Sequence, residues 1–278
     1  MNFQFKDELN GTFSVLNAEE WLKLNSNKAI ETYSIIINLG KRFALDVDLN
    51  EISLDHASSC FLNPGCYVSS ISNLDNDHYF IDFNAAFYCL ELHDKDLSCN
   101  GLLFGAMPSL PLLSCNEKEL TEKNDVIERM IKEFDHDDDT KGEMLRLLLK
   151  QLIIISVRIG RKQLFSEENP NEEDTDVIRN FQALVEKHFK EKHKVSDYAE
   201  LMFKSPKTLS NTFKKLGSVS PLQIIQERIV LEAKRQMNYT DKSIKEIAYE
   251  IGYTEPAQFS RLFKNITGES PSDFQDRI

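Results

Sequence analysis

Ile247-Ala248-Tyr249-Glu250-Ile251-Gly252-Tyr253-Thr254-Glu255-Pro256-Ala257-Gln258-Phe259-Ser260-Arg261-Leu262-Phe263-Lys264-Asn265-Ile266-Thr267-Gly268-Glu269-Ser270-Pro271 is the stretch on which the fold of this chain turns. Ile244, Ile247, Ala248 and Ile251 follow the i, i+3, i+4, i+7 spacing of a buried helical stripe, and Gly252 follows where glycine most easily takes a left-handed helix cap. Pro256 suits the first turn of a second helix. Phe259, Leu262 and Phe263 supply its buried face, while Gln258, Ser260, Arg261 and Lys264 lie elsewhere on the cylinder. The same pattern stands earlier in the chain: Pro206/Pro256, Leu209/Phe259, Phe213/Phe263, Lys214/Lys264 and Pro221/Pro271 are each 50 residues apart. A duplicated short unit is an architectural signal.

Helix, tight turn, helix is the helix-turn-helix signature, in which the second helix lies in the major groove of double-stranded DNA. The two units fall at about residues 195–217 and 244–268. On the second reading helix Arg261 can pair bidentately with a guanine edge, Ser260 can serve base or phosphate, Lys264 can reach a phosphate, and Gln258 is a sideways-pointing further candidate. On the first, the free positions are Lys207, Ser210, Asn211 and Lys214, with Asn211 suited to adenine. Between the units, Leu222, Ile225, Ile229, Ala233 and Met237 recur at helical spacing, with Arg228, Lys234 and Arg235 placed on the remaining surface. A helix from Pro221 to Met237 spans about 25 Å at about 1.5 Å per residue. With about 10 Å of helix thickness, that approaches the roughly 34 Å turn of B-DNA.

From about Phe181 to Ile278 the chain closely resembles the DNA-binding domain of AraC/XylS-type transcription regulators. The residues that carry the resemblance are Arg228-Ile229-Val230-Leu231-Glu232-Ala233-Lys234, Ile247-Ala248 to Gly252-Tyr253, and Phe259-Ser260-Arg261-Leu262-Phe263-Lys264 with Gly268 and Ser270-Pro271. The resemblance implies a seven-helix domain with two helix-turn-helix units joined by a long helix, acting as a transcription activator or other regulator that often recruits RNA polymerase. By matching position, base contacts fall on Lys207, Ser210 and Asn211 and on Ala257, Ser260 and Arg261, with Lys214 and Lys264 facing the backbone. Two positions depart from the pattern: Gly217 stands one residue early, and Ala257 is too short to hydrogen-bond a base, which leaves Arg261 as the main reader there.

Charge divides the chain. The whole carries 33 Lys+Arg against 45 Asp+Glu, net −12; residues 1–175 hold 16 basic and 31 acidic side chains (net −15), and residues 176–278 hold 17 and 14 (net +3). The acidity therefore belongs to the first part, and a mildly basic second part binds a polyanion with a salt dependence set by counterion release. Ser166 to Thr175 has no apolar residue except Pro170 and reads as a linker. The expected domains are 1–165 for effector binding and dimerisation, 166–175 as linker, and 176–278 for DNA binding. A homodimer is expected, since a mildly basic domain gains affinity by pairing.

The first part reads as strands at Tyr33–Leu39, Phe43–Leu49, His78–Phe83, Phe87–Leu92 and Leu97–Phe104, followed by helices at 119–134 and 143–162. The expected fold class is α+β in two domains: a cupin-like β-barrel with a helix pair, then an all-α domain. That first layout is the one AraC-type effector domains show, which implies an unidentified small-molecule effector as a partner. The apolar excess on the helix 143–162, around Leu147 to Leu149 and Leu152 to Ile155, either covers the barrel or pairs with a second subunit. Arg146, Lys150 and Arg158 make that helix too polar to span a bilayer, and Met1 to Asn10 shows no signal peptide, so a cytoplasmic protein is expected.

Five cysteines, Cys60, Cys66, Cys89, Cys99 and Cys115, all lie in the first part and read as reduced thiols. Cys89, His93 and Cys99 lack CxxC or HxH spacing, and Asp135 to Asp139 lacks the glycine and terminal glutamate of an EF-hand loop. No metal, cofactor or catalytic residue is expected. A cupin-type metalloenzyme needs clustered His and Glu ligands, whereas His56, His78 and His93 are isolated. The other alternative is a regulator whose first domain only dimerises or contacts proteins.

Overall fold

In the computed structural model, which describes residues 2–25, 28–72, 77–90, 102–104, 110–164, 172–215 and 219–277, the chain divides into two compact units: residues 1–104 with 110–167, and residues 168–278. The first unit runs β1 (Asn2–Lys6), β2 (Thr12–Leu16), α1 (Ala18–Asn25), β3 (Tyr33–Asn38), β4 (Phe43–Val47), β5 (Asn50–Leu54), β6 (Ser58–Leu62), β7 (Val68–Ser72), β8 (His78–Phe83), β9 (Leu112–Ser114), α2 (Glu117–Glu133) and α3 (Lys141–Leu164). The α+β reading holds, but the barrel does not close. The described strands form a six-stranded sheet, β1-β2-β8-β3-β6-β9, and a three-stranded sheet, β5-β4-β7.

The larger sheet is a middle layer. Side chains alternate across a strand, and here both faces are covered. Ile35, Ile37, Ile81, Phe83, Phe13 and Val15 point into one core with Val126, Ile127 and Met130 of α2 and Leu145, Leu149 and Leu152 of α3. Ile36, Phe80, Leu16, Cys60 and Leu62 point the other way, into a second core with Trp21 of α1 and with Phe43, Leu45, Val47, Leu54 and Val68 of the smaller sheet. A strand buried on both faces has no polar alternation to keep, which is why β3 reads Tyr-Ser-Ile-Ile-Ile-Asn.

The space between the sheets is filled by these side chains rather than hollow. It also holds a carboxylate. Asp82 of β8 accepts from Trp21 Nε1 at 2.8 Å and Ser34 Oγ at 2.6 Å, with Asn25 Nδ2 at 3.4 Å. Burial pushes its carboxyl up to about 6 despite these donors.

Several sequence expectations need correction. Phe87–Leu92 is not a strand in its described part: Asn84 closes a turn by accepting Phe87 N–H on Oδ1 at 2.9 Å and Tyr88 N–H on its carbonyl at 3.0 Å, and the aromatic residues are buried by that turn. Leu102–Phe104 is likewise a turn, and residues 91–101 lie outside the described residues. The segment 43–49 is shorter as a strand than expected, because Asp48 (φ 50°) and Leu49 (φ 67°) form a two-residue hairpin turn between β4 and β5. Positive φ at both central residues is what a type I′ turn needs, and here it is met without glycine. Asp48 Oδ1 accepts Tyr67 N–H at 3.0 Å, which anchors the turn.

α2 starts two residues earlier and ends one residue earlier than expected, and α3 extends two residues further at each end. An Asn116–Glu119 capping box starts α2. The α3 face is absorbed by the first core except at Met144 and Leu147, which remain exposed. No described helix is long and apolar enough to cross a membrane.

The second unit has, among the described residues, seven helices: α4 (Glu172–His188), α5 (Val195–Leu201), α6 (Pro206–Lys215), α7 (Pro221–Tyr239), α8 (Ile244–Glu250), α9 (Pro256–Thr267) and α10 (Pro271–Arg277). α4 starts inside the stretch read as linker, so residues 172–175 are helical; 165–171 lie outside the described residues. One apolar core joins all seven, including Phe181, Tyr198, Leu209, Phe213, Ile225, Ile247, Phe259, Phe263 and Phe274.

Because Asp82 titrates at a raised value, it stabilises the fold most below its unfolded pKa of about 4, and that contribution is lost as pH climbs through about 6. We expect urea titrations of Asp82→Asn to show a difference between stability at pH 4 and at pH 7 that is about 2 kcal/mol smaller in this direction than in the wild type.

Candidate nucleic-acid interface

Each helix-turn-helix unit is built from the core outward. α6 buries Leu209, Thr212 and Phe213, and the face left in solvent carries Lys207, Ser210, Asn211 and Lys214. These occupy i, i+3, i+4 and i+7, one stripe of a helix. α9 buries Phe259 and Phe263 and exposes Ala257, Gln258, Arg261 and Lys264. The stripe continues one turn further at exposed Asn265, which the sequence reading passed over although it stands four residues from Arg261. The fold therefore gathers the expected residues into two exposed stripes, with three qualifications.

Ser260 is half-buried and its hydroxyl donates to Pro256 O at 3.0 Å, so it is left with acceptor capacity only. Gln258 Nε2 donates to Glu255 Oε2 at 3.1 Å, within the first turn of α9. Lys215 next to Lys214 is held by Asp174 at 2.5 Å. By contrast, Lys207, Lys214 and Arg261 make no ion pair among the described residues, and their charge faces solvent.

The two turns differ. The reading helices keep the 50-residue offset, but the helices before them are offset by 49: α5 ends at Met202 (φ −93°, ψ 2°) and α8 at Ile251 (φ −93°, ψ 14°), so Phe203 corresponds to Gly252. The left-handed residue is thus Phe203 (φ 53°) in the first turn and Gly252 (φ 88°) in the second, which has one residue more. A non-glycine residue pays a steric cost at such an angle. Phe203 is 98% exposed and recovers none of it by burial. The shifted Gly217 belongs to residues 216–218, outside the described residues.

In the second turn glycine is required for a further reason: a Cβ on residue 252 would collide with the backbone carbonyl of Lys190. That approach comes from the segment joining α4 to α5, where His193 Nε2 hydrogen-bonds Ile251 O at 2.9 Å and its ring stacks on Tyr253 at 4.4 Å between centroids. The segment leading into the first motif is thereby packed on the turn of the second.

The connecting helix departs most from expectation. Leu222, expected in the buried stripe, is 43% exposed, whereas Arg228 and Arg235, expected on the surface, are 8% and 6% exposed. Arg228 Nε and Nη2 donate to the two carboxylate oxygens of Glu186 on α4 at 2.8 and 2.9 Å, and Nη1 donates to Glu232 at 3.3 Å. Its guanidinium lies over Phe189 at 3.8 Å. Lys190 and Arg235 also reach Glu232, at 3.4 and 3.7 Å. Arg228 and Arg235 are thereby part of the scaffold rather than of an exposed surface.

Among the described residues no group of His, Cys, Asp and Glu is placed to hold a metal ion; His93 and Cys99 lie outside them. The Asp135–Asp139 run is an exposed turn.

A family model of a helix-turn-helix domain matches residues 198–277, the stretch that holds both motifs. The second unit is an AraC-type helix-turn-helix domain. Its relatives include AdaA of Bacillus subtilis, a bifunctional transcriptional activator/DNA repair enzyme, 32% identical over 110 residues that cover 40% of this chain and 51% of AdaA. YisR of Bacillus subtilis, an uncharacterized HTH-type transcriptional regulator, is 30% identical over 91 residues, 33% of this chain and 32% of YisR. The chain thus spans about half or less of the length of these relatives. Among solved structures, ToxT of Vibrio cholerae with an unsaturated fatty acid bound is 15% identical, with a TM-score of 0.40 over 99% of this chain and 93% of ToxT.

The two turns of the AraC-type domain answer oppositely to substitution. Gly252→Ala should cost the domain more than about 1 kcal/mol, since it adds both an unfavourable φ and a backbone collision. Phe203→Gly should raise stability by about 0.5–1 kcal/mol by relieving the left-handed residue. Denaturant melts of the two variants beside the wild type check both signs.

Proposed function

We propose that this chain is a sequence-specific transcription regulator of AraC/XylS type that reads double-stranded DNA in two successive major grooves. The observation that carries the reading is the pair of exposed stripes, Lys207/Ser210/Asn211/Lys214 and Ala257/Arg261/Lys264, standing on one apolar core. A 19-residue α7 between the motifs measures about 28 Å at about 1.5 Å per residue, close to the spacing that two grooves on one face of B-DNA require. Arg261 and Asn211 act as base readers, with Ser260 limited to accepting. Lys214 and Lys264 act on phosphates, and Gln258 contributes only after leaving Glu255. The net +3 of residues 176–278 fits modest electrostatic affinity, to which a homodimer adds.

In this reading the domains are residues 1–165, a linker ending near 171, and 172–278, and the first domain serves dimerisation and effector binding in a cytoplasmic regulator that contacts RNA polymerase. The packed interior between the sheets points away from an enclosed effector site there. A cleft of 340 Å³ at the β1–β2 hairpin, lined by Gln4, Lys6, Thr12, Asn25, Lys28 and Asp82 among others, favours an effector over a purely dimerising role and is of ligand size. The same reading assigns no catalytic role to that cleft, whose titratable lining is Lys6, Lys28, Glu31 and the hydrogen-bonded Asp82.

Selection of bound sites from a random DNA library supplies the operator, and gel-shift titrations then test the roles. Arg261→Ala should weaken the selected site by roughly 1–3 kcal/mol and relax preference at one base pair. Lys264→Ala should weaken all sequences alike and lower the salt slope by about one unit. Unchanged affinity and unchanged preference in Arg261→Ala would refute the assignment.

A further inference from the structure

The cleft at the β1–β2 hairpin carries both signs of charge, and they differ in depth. Asp82 of β8, 7% exposed, forms its floor, while Lys6 of β1 and, between α1 and β3, Lys28 and Glu31 stand exposed at its edge. Among the described residues, the three at the edge form no salt bridge. The rim therefore keeps one net positive charge free to meet a ligand.

The floor is an anion supplied only with neutral donors. Oδ1 of Asp82 accepts from Trp21 Nε1 and Ser34 Oγ at 2.8 and 2.6 Å, whereas Oδ2 has Asn25 Nδ2 alone, at the long distance of 3.4 Å. Its cross-strand neighbours, Ser14 of β2 and Ser34 of β3, are uncharged. A buried carboxylate without a cation is costly, which is why burial raises its pKa in spite of three donors. Oδ2 thus has room for a stronger donor, and a cation is the donor that gains most there.

The remaining lining narrows the choice. Phe5, Phe13 and Leu24 give an apolar wall, and 340 Å³ lies at the small end of ligand-binding cavities. A polyanion would be repelled by Asp82, a polycation by Lys6 and Lys28, and a neutral polyol would leave the buried charge without a counter-ion.

We propose that this cleft binds a small zwitterion, an α-amino acid with an apolar side chain. Its ammonium donates to Asp82 Oδ2, its carboxylate meets Lys6 and Lys28, and its side chain lies against Phe5, Phe13 and Leu24. The inner pair is shielded from water and carries most of the selectivity; the outer pair is screened and weaker. Glu31 offsets one of the two lysines, which suits the rim to a single carboxylate rather than to a phosphate. The inference rests on the reading of this cleft as an effector site and names the class of effector.

The test is isothermal titration calorimetry of the full chain with L-leucine, L-valine, L-methionine and L-phenylalanine, each beside the amine that lacks its carboxylate and the acid that lacks its ammonium. At least one amino acid should bind, roughly tenfold or more tightly than its amine and its acid, the least that a hydrogen bond to a charged group contributes. Asp82→Asn, similar in shape but uncharged, should weaken it by a similar factor. The double variant Lys6→Gln, Lys28→Gln changes only exposed side chains and should weaken it less, by roughly threefold. No binding by any of the four, equal binding by the amine or the acid, or unchanged affinity in the folded double variant overturns the zwitterion; the last arm holds even if Asp82→Asn fails to fold. A gel shift on the selected operator with the amino acid at saturation separates this from the effector reading. Binding with no change in DNA affinity upholds the site and refutes its regulatory role, whereas a response to the amine or the acid alone keeps an effector cleft and refutes the zwitterion.

Discussion

The helical unit depends on one buried cation. α7 contacts α4, α5, α6, α8 and α9, so its rotation about its own axis decides where both motifs stand. Arg228 fixes that rotation against α4: the fork of the guanidinium meets the two oxygens of Glu186, which makes the contact directional as well as attractive. Phe189 beneath the guanidinium and Glu232 beside it complete the enclosure. An apolar residue could fill the same volume, but without a directional bond it would leave α7 freer to turn. Removing the arginine alone would strand two acidic side chains in a largely closed site, the costliest way to break such a pair.

A comparable economy of directional contacts marks the first unit. The strands β3 and β8 of its larger sheet are covered on both faces, and the carboxylate placed there finds its donors inside the fold. Asp82 collects donors from α1, β3 and the end of α1 at once, joining a helix to the sheet through a single carboxylate. Lys123 does the same from the opposite face, joining α2 to β6. The two groups differ in one respect: three donors surround the acid, while the lysine donates to the Ser59 hydroxyl.

The second unit was far more legible in the sequence than the first, for identifiable reasons. Gly252, Pro256, Gly268 and Pro271 punctuate the second motif at positions where backbone geometry demands them, and Phe259 and Phe263 keep helical period, so helices, turn and exposed stripe could all be placed. Arg228 and Arg235 were misplaced because charge ordinarily marks surface, and the partners that enclose Arg228, Glu186 and Phe189, lie some forty residues away. The strand β5 was missed because Asp48 and Leu49 turn without glycine or proline, and a false strand was read at Phe87 because aromatic content reports burial rather than extension. The exposed positions of the candidate site followed from the repeat, but the hydrogen bonds that restrict Ser260 and Gln258 follow from side-chain geometry, which no spacing encodes.

The unequal offsets of the two motifs, 49 for the leading helices and 50 for the reading helices, separate support from recognition. All the irregularity is taken up in the turns, while Leu209 and Phe213 hold α6 just as Phe259 and Phe263 hold α9. Each reading helix thus hangs from its own pair of anchors, and its outward residues touch nothing that the other helix needs. In the proposed reading, such a chain can change its preference for one half of a binding site while keeping the other.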